Sequence, residues 1–243
     1  MNVAAVIPAR IGSTRFPGKP LALISGKPMI QHVYENASAC RLVERVIVAT
    51  DDVKIEQAVH AFGGECFLTS LDHKTGTDRV AEVARTINAE IVVNIQGDEP
   101  LLPADAVEKA IRPLLENEHI ILSTLKTVLR PDDDPLDPNI VKVATDTRGY
   151  ALYFSRSPLP YQREGSPSAQ VYRHIGLYVF KRNFLFTFTS LPQTPLEQTE
   201  SLEQLRALEH GHSIFVTETE YYPLGVDVPS DIARVEAIMQ THC

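Results

Sequence analysis

Three cations crowd the start of the chain with no acid to balance them. Arg10, Arg15 and Lys19 lie within IPARIGSTRFPGKP, and the first carboxylate is Glu35. Held among Gly12, Pro17, Gly18 and Pro20, they would repel one another unless an anion neutralised them, which is what a phosphate site requires. A Gly-Lys turn after an apolar strand suggests the P-loop. The spacing excludes it: five residues separate Gly12 from Gly18, not four, and Pro20 stands where a Ser or Thr hydroxyl would hold magnesium. Acids then follow two apolar stretches, Asp98 and Glu99 behind Gln96 and Gly97 in VVNIQGDEPLL, and Asp227 in YPLGVDVPSD. Magnesium takes hard oxygen ligands, commonly one or two carboxylates plus substrate phosphates. Asp98 is therefore a candidate ligand with Asp227 as its partner, although Asp227 could equally cap a helix ahead of Pro229.

Other positions carry weaker signals. In HKTGTDR, Thr77 could cap the following helix, while Gly76 would let backbone approach a base or ribose closely. His174 begins a strand-like RHIGLYVF and shares a face with Tyr178 by the two-residue period, so it could belong to the core or to a site. In SLEQLRALE, a helical wheel turns Glu203 about 160° from Leu205, the middle of the Leu202, Leu205, Leu208 stripe, and so places it on a solvated face. The aspartates at 51–52 read as a loop end and those at 132–134 as a solvated run.

The elements that must position these residues alternate in type. β-branched runs at 3–7, 45–49, 66–68, 91–95 and 120–127 are separated by helical patterns at 28–39, 53–62, 77–87 and 103–117, the signature of a parallel sheet covered by helices. Further helices are expected at 197–209 and 229–240. In such sheets ligands bind beyond the carboxyl ends of the strands, where the cationic loop and Asp98 fall. The stretch from 130 to 167 differs: it holds six of the 17 prolines and the acidic run, yet includes strand-like pieces at 141–145 and 151–154. It reads as an insertion whose apolar pieces would pack against a second copy, giving a homodimer.

The 243 residues carry 23 basic and 31 acidic side chains, a net charge of −8, which argues against nucleic acid or an anionic membrane as partner. A local basic cluster on an acidic protein then serves something small and anionic. Cys40, Cys66 and Cys243 are odd in number and widely spaced, which indicates neither a disulfide framework nor a zinc site. No apolar run approaches membrane-spanning length, so a soluble cytoplasmic protein is expected.

The blocks IPARIGSTRFPGKPL, VATDD, HKTGTDR, NIQGDEPL, PNIVKV, YFSRSPLPY, HIGLYVF, LEQLRALE and GVDVPSD, in this order and nearly end to end, closely resemble the 3-deoxy-manno-octulosonate cytidylyltransferase (CMP-Kdo synthetase) family. The resemblance implies a Rossmann-like nucleotide-diphospho-sugar transferase fold of the α/β class. That fold has a mixed, mostly parallel sheet flanked by helices, in a single domain over 1–243 with a dimerising insertion at about 130–170. It also implies an activity: CMP passes from CTP to the anomeric hydroxyl of Kdo, with magnesium as cofactor, giving CMP-Kdo and pyrophosphate for lipopolysaccharide synthesis. By motif, Pro8, Ala9, Arg10, Lys19, Gly76, Thr77 and Asp98 resemble the CTP site, with Arg10, Lys19, Asp98 and Asp227 as catalytic groups and the two aspartates as metal ligands. Arg15, Gln96, Arg156, Arg163, His174, Tyr178 and Glu203 resemble the Kdo site, which contradicts the wheel at Glu203. Thr75 stands where the family has serine, and GVDVPSD replaces a more usual Thr-Pro-Glu-Asp ending. Sialic-acid enzymes place Lys-Asn after the glycine of the first loop, unlike STRFPGKPL, whereas 8-amino-Kdo is an open alternative substrate. A glycosyltransferase would need an Asp-x-Asp metal motif, which Asp132–Asp134 matches only inside the proline-rich insertion.

Overall fold

The apolar runs VAAVI, VIVA and IVV are buried along their length, as strands covered on both faces must be. In the computed structural model, which describes residues 1–12, 16–167 and 169–241, the chain begins with β1 (Val3–Ala9), the short hairpin β2 (Leu23–Ile24) and β3 (Lys27–Pro28), and α1 (Met29–Ser38). It continues through β4 (Arg45–Thr50), α2 (Val53–Ala61), β5 (Glu65–Leu68), α3 (Gly76–Thr86), β6 (Ile91–Asn94) and α4 (Ala104–Glu116). There follow β7 (Leu122–Val128), β8 (Lys142–Thr145), β9 (Ala151–Ser155), β10 (Tyr172–Lys181), α5 (Arg182–Ser190), α6 (Pro195–Glu200), α7 (Leu205–Glu209), β11 (Phe215–Glu218) and α8 (Asp231–Thr241). The strand and helix expectations of the first half are met to within a residue or two, and the pieces expected at 141–145 and 151–154 are β8 and β9.

Contacts along the chain define two compact units, Met1–Glu108 with Pro223–Cys243, and Lys109–Tyr222. In the first, β6, β1, β4 and β5 lie side by side and all pair in parallel, with Val6 opposite Asn94 on one flank and Ile47 on the other. Helix α1 buries Met29, Ile30, Val33 and Ala37, the spacing of one helical face. Asp52 caps α2 by accepting from the Lys54 amide at 2.7 Å, and Asp51 pairs with the buried Arg79 guanidinium of α3. The 51–52 pair is therefore more than a loop end. Ile24, Met29, Val226 and Val235 form a buried cluster that includes the returning C-terminal segment, and Glu236 of α8 accepts from the Ser25 amide at 2.7 Å.

In the second unit β11 runs parallel to β7, β7 antiparallel to β10, and β8 and β9 extend the sheet antiparallel beyond β10. The register of β7 against β10 shifts between Ile175 and Tyr178. The helix expected at 197–209 is two short helices. Ser201 adopts the left-handed conformation at φ 50° and ends α6, so the chain turns before α7 begins. Nothing in the local sequence marks this break, because neither glycine nor proline stands there.

Candidate active site

Within the first unit, small residues let the loops close on the end of β1. A Cβ on Gly97 would lie 3.1 Å from the Pro8 carbonyl oxygen, and one on Gly76 would lie 3.3 Å from Pro8 Cγ. Both are tighter than side chains ordinarily pack, so the turn after β6 and the start of α3 reach Pro8 only because these residues are glycines. Thr75, not Thr77, caps α3: its hydroxyl accepts from the Asp78 amide at 3.1 Å, while the Asp78 carboxylate accepts from the Thr75 amide. Thr77, the second residue of α3, is buried, and its hydroxyl accepts from Asn94 Nδ2 at 3.3 Å.

Gly18, at φ 73°, turns the cationic loop back by donating its amide to Ile11 O at 3.1 Å. That turn delivers Lys19, whose Nζ lies 2.7 Å from Asp98 Oδ2 and 3.6 Å from Asp227 Oδ1. Residues far apart in sequence thus meet on one ammonium. A backbone bond fixes the meeting, the Val226 amide donating to Asp98 O at 2.9 Å. Asp231 supplies the carboxylate at the start of α8, accepting from the amides of Asp227 at 2.8 Å and Val228 at 3.0 Å. Arg10 is exposed just past β1, and Gln96 is half-buried just past β6. Arg15 lies outside the described residues.

The second unit gathers His174, Tyr178 and Glu203. His174 and Tyr178 project from β10 with ring centroids 5.6 Å apart, and the Phe154 ring packs edge-on against His174 at 4.8 Å. His174 is buried, and burial pushes its pKa down to about 3, so the imidazole is neutral near pH 7. Burial, and then the nearby charge of Glu203, raise the Tyr178 phenol well above its usual range, which keeps it protonated. Glu203 is only 27% exposed at its side chain, so the solvated reading from the wheel is wrong. The wheel assumed one continuous helix, whereas the turn at Ser201 re-aims the residues beyond it.

Arg206 also holds this turn. Its guanidinium donates to both carboxylate oxygens of the buried Glu197, with Nε at 2.9 Å, and lies 3.6 Å from Glu203 Oε1. Arg156 leaves the end of β9 and donates to the carbonyls of Glu200 at 2.6 Å, Pro138 at 2.7 Å and Ser201 at 3.3 Å. Glu200 in turn accepts from Ser155 Oγ at 2.7 Å and the Arg156 amide at 2.9 Å. Lys142, fully buried, donates to the carbonyls of Asp137, Ile140 and Arg156. No sequence pattern announces this brace, because the bonds that close it join Arg156 to Pro138, Glu200 and Ser201, and Lys142 to Arg156, across long stretches of chain. Arg163 lies exposed, apart from the brace.

A cytidylyltransferase profile matches residues 4–214. A relative from Geobacter sulfurreducens, named 3-deoxy-manno-octulosonate cytidylyltransferase, is 55% identical, the match covering 97% of this chain and 98% of that one. This chain belongs to the 3-deoxy-manno-octulosonate cytidylyltransferase family. A second relative in the family, of the same name from Pelobacter propionicus, is 54% identical over 96% of both chains. A solved structure of CMP:2-keto-3-deoxy-manno-octonic acid synthetase complexed with CTP covers 100% of both chains at 43% identity, with a TM-score of 0.95. The α/β fold read from the strand and helix pattern is accordingly that of the cytidylyltransferases.

Family membership also sharpens one test. If Glu203 accepts hydrogen bonds from a sugar, Glu203→Gln should weaken Kdo binding by about 1–3 kcal/mol with little change in CTP binding or melting temperature. Isothermal titration with each substrate checks this, and unchanged Kdo affinity would return Glu203 to a purely structural role. A neighbouring Glu200→Gln change would not serve as a silent control, because the Glu200 carboxylate accepts from Ser155 Oγ and the Arg156 amide.

Proposed function

We propose that this chain transfers CMP from CTP to the anomeric hydroxyl of Kdo, releasing pyrophosphate and supplying CMP-Kdo for lipopolysaccharide synthesis. The observation that carries the reading is the convergence of Lys19, Asp98 and Asp227 beside the glycine-lined end of β1, in a chain that matches a CTP-bound relative over its whole length. In-line attack on the α-phosphorus develops charge on the phosphoryl and pyrophosphate oxygens, and cations placed in advance stabilise it. Lys19 and Arg10 are the side chains suited to those oxygens. Pro8, Ala9, Gly76 and Thr77 would line the nucleotide. His174, Tyr178 and Glu203 would orient the sugar acid together with Gln96, Arg15 and Arg163. Arg156 belongs to the same group, holding the segment that carries Glu203.

Magnesium fits the donor set. Asp98 and Asp227 present hard oxygens to a single cationic centre, here the Lys19 ammonium. Two carboxylates completed by substrate phosphates are the protein's usual share of a magnesium site. Magnesium held there would neutralise phosphate charge. With the carboxylates so committed, Lys19 would be free to donate to phosphate.

The reading extends to a cytoplasmic homodimer. Leu136, Leu152 and Tyr161 in the 130–170 region are 69%, 63% and 86% exposed, apolar surface suited to a second copy. Among the described residues no helix is long and apolar enough to cross a membrane.

With magnesium, CTP and Kdo the protein should release pyrophosphate and form CMP-Kdo, with CTP much preferred over ATP or GTP. A coupled pyrophosphate assay and chromatography of the product measure both. Turnover of 8-amino-Kdo without turnover of Kdo would move the substrate assignment, and release with neither would sink the reading.

A further inference from the structure

Thr124 sits in the middle of β7, fully buried, with its hydroxyl facing three polar atoms at once. Leu177 O lies at 2.7 Å, His174 Nε2 at 2.9 Å and Ile175 O at 3.0 Å. Leu177 lies inside the stretch of β10 where the register slips between Ile175 and Tyr178, Ile175 bounds it and His174 immediately precedes it. The hydroxyl has one proton to give and lone pairs to accept with. Its lone pairs would repel two carbonyl oxygens at these distances, so the proton points to the carbonyls, of which Leu177 O is the nearer. The contact with the imidazole must then take its proton from the ring, with Nε2–H donating to Thr124 Oγ1.

A neutral imidazole carries a single ring proton, and the hydrogen bond at one nitrogen decides which nitrogen has it. Burial keeps the His174 ring neutral. With Nε2 protonated against Thr124, Nδ1 bears a lone pair, and among the described residues none bonds to it. The Phe154 and Tyr178 rings, with centroids 4.8 and 5.6 Å from that of the imidazole, limit how far it can turn. A lone pair in that place accepts from a hydroxyl and repels a carboxylate.

We infer that Thr124 is a positioning residue that holds His174 as its Nε2–H tautomer, so that Nδ1 accepts from a hydroxyl of the sugar acid and His174 does not read the carboxylate. The inference rests on the Kdo reading of this site. It also divides the labour within the second unit: the carboxylate of the sugar acid must be met by a cationic side chain, whereas His174 distinguishes the hydroxyl pattern.

The tautomer can be read directly by long-range proton–nitrogen NMR on protein labelled with 15N-histidine, with His174→Gln assigning the signal. The parent should show the ring proton on Nε2 from pH 5 to 8, and the Nδ1 resonance should move when Kdo is added. Thr124→Val should lose the tautomer preference and raise KM for Kdo about tenfold, the scale of one lost hydrogen bond, while KM for CTP stays within about twofold. Thr124→Ser should restore both. A parent ring protonated at Nδ1 overturns the inference. So does a Thr124→Val enzyme that keeps the parent KM for Kdo, or one that raises KM for both substrates alike. Should Thr124→Val fail to fold, the parent spectrum and Thr124→Ser decide. The Kdo reading fails separately, by absence of pyrophosphate release in the parent, and the ring spectrum still judges the hold of Thr124 on His174.

Discussion

Asp98→Asn should lower the rate of CMP transfer by about 10²-fold or more, the scale seen when a major stabiliser of transition-state charge is lost, and should leave the fold intact. The separation of the two effects comes from the geometry. The carboxylate of Asp98 meets Lys19 at 2.7 Å, but the bond that ties the C-terminal segment in place runs from the Val226 amide to the backbone oxygen of Asp98, which asparagine retains. Asp227→Asn should behave alike, since the Asp231 carboxylate secures the start of α8 and asparagine keeps the amide that donates to it. Steady-state rates at saturating CTP and limiting magnesium, beside thermal melts, are the measurements. An Asp227→Asn enzyme of near-parent rate would remove it from the metal pair.

The largest effect on stability is expected at Arg206. Arg206 and Glu197 are 5% and 6% exposed at their side chains, and the guanidinium also packs 5.0 Å over the Phe188 ring. Removing one member of a buried pair strands the other charge away from water, a loss of about 3–5 kcal/mol. Arg206→Leu should therefore lower the melting temperature by on the order of 10 °C. Arg206→Leu combined with Glu197→Leu should recover part of that loss, because an apolar pair carries no stranded charge. A denaturant series on the parent, the single and the double variant reads the coupling. Equal stability of single variant and parent would mean that Glu197 is solvated after all. Because Arg206 also lies 3.6 Å from Glu203, the single variant should weaken Kdo use as well.

These expectations divide by how much of each arrangement is local. The strands of the first unit are legible because they are buried on both faces and read as unbroken apolar runs. The cationic loop is legible because three uncompensated charges demand a counter-ion. Asp98 and Asp227 could be named from their places behind apolar stretches, but their meeting on Lys19 depends on a chain return that no local pattern encodes. Glu203 was misread by periodicity because the wheel presumed a helix that Ser201 interrupts, in a left-handed conformation at a residue type that does not announce it. Helix α5 is hard to read for a related reason: in NFLFTFT phenylalanine recurs at every second position, a strand-like period, whereas the helix buries Phe184, Leu185 and Phe188. Arg79, Lys142 and Thr124 gave no signal, since a buried polar residue is interpretable only through partners that folding brings to it.

The discontinuity of the first unit has a consequence during synthesis. Chains emerge from the ribosome amino terminus first and tend to fold unit by unit as they do so. Here Lys19 and Asp98 emerge before the second unit, whereas Asp227 and the apolar side chains of Val226 and Val235 that complete the cluster around Ile24 and Met29 emerge after it. A nascent or prematurely terminated chain would present the lysine and one aspartate without the second. Synthesis past the second unit thus acts as a checkpoint, since the pair of acids is assembled only once Asp227 has followed it.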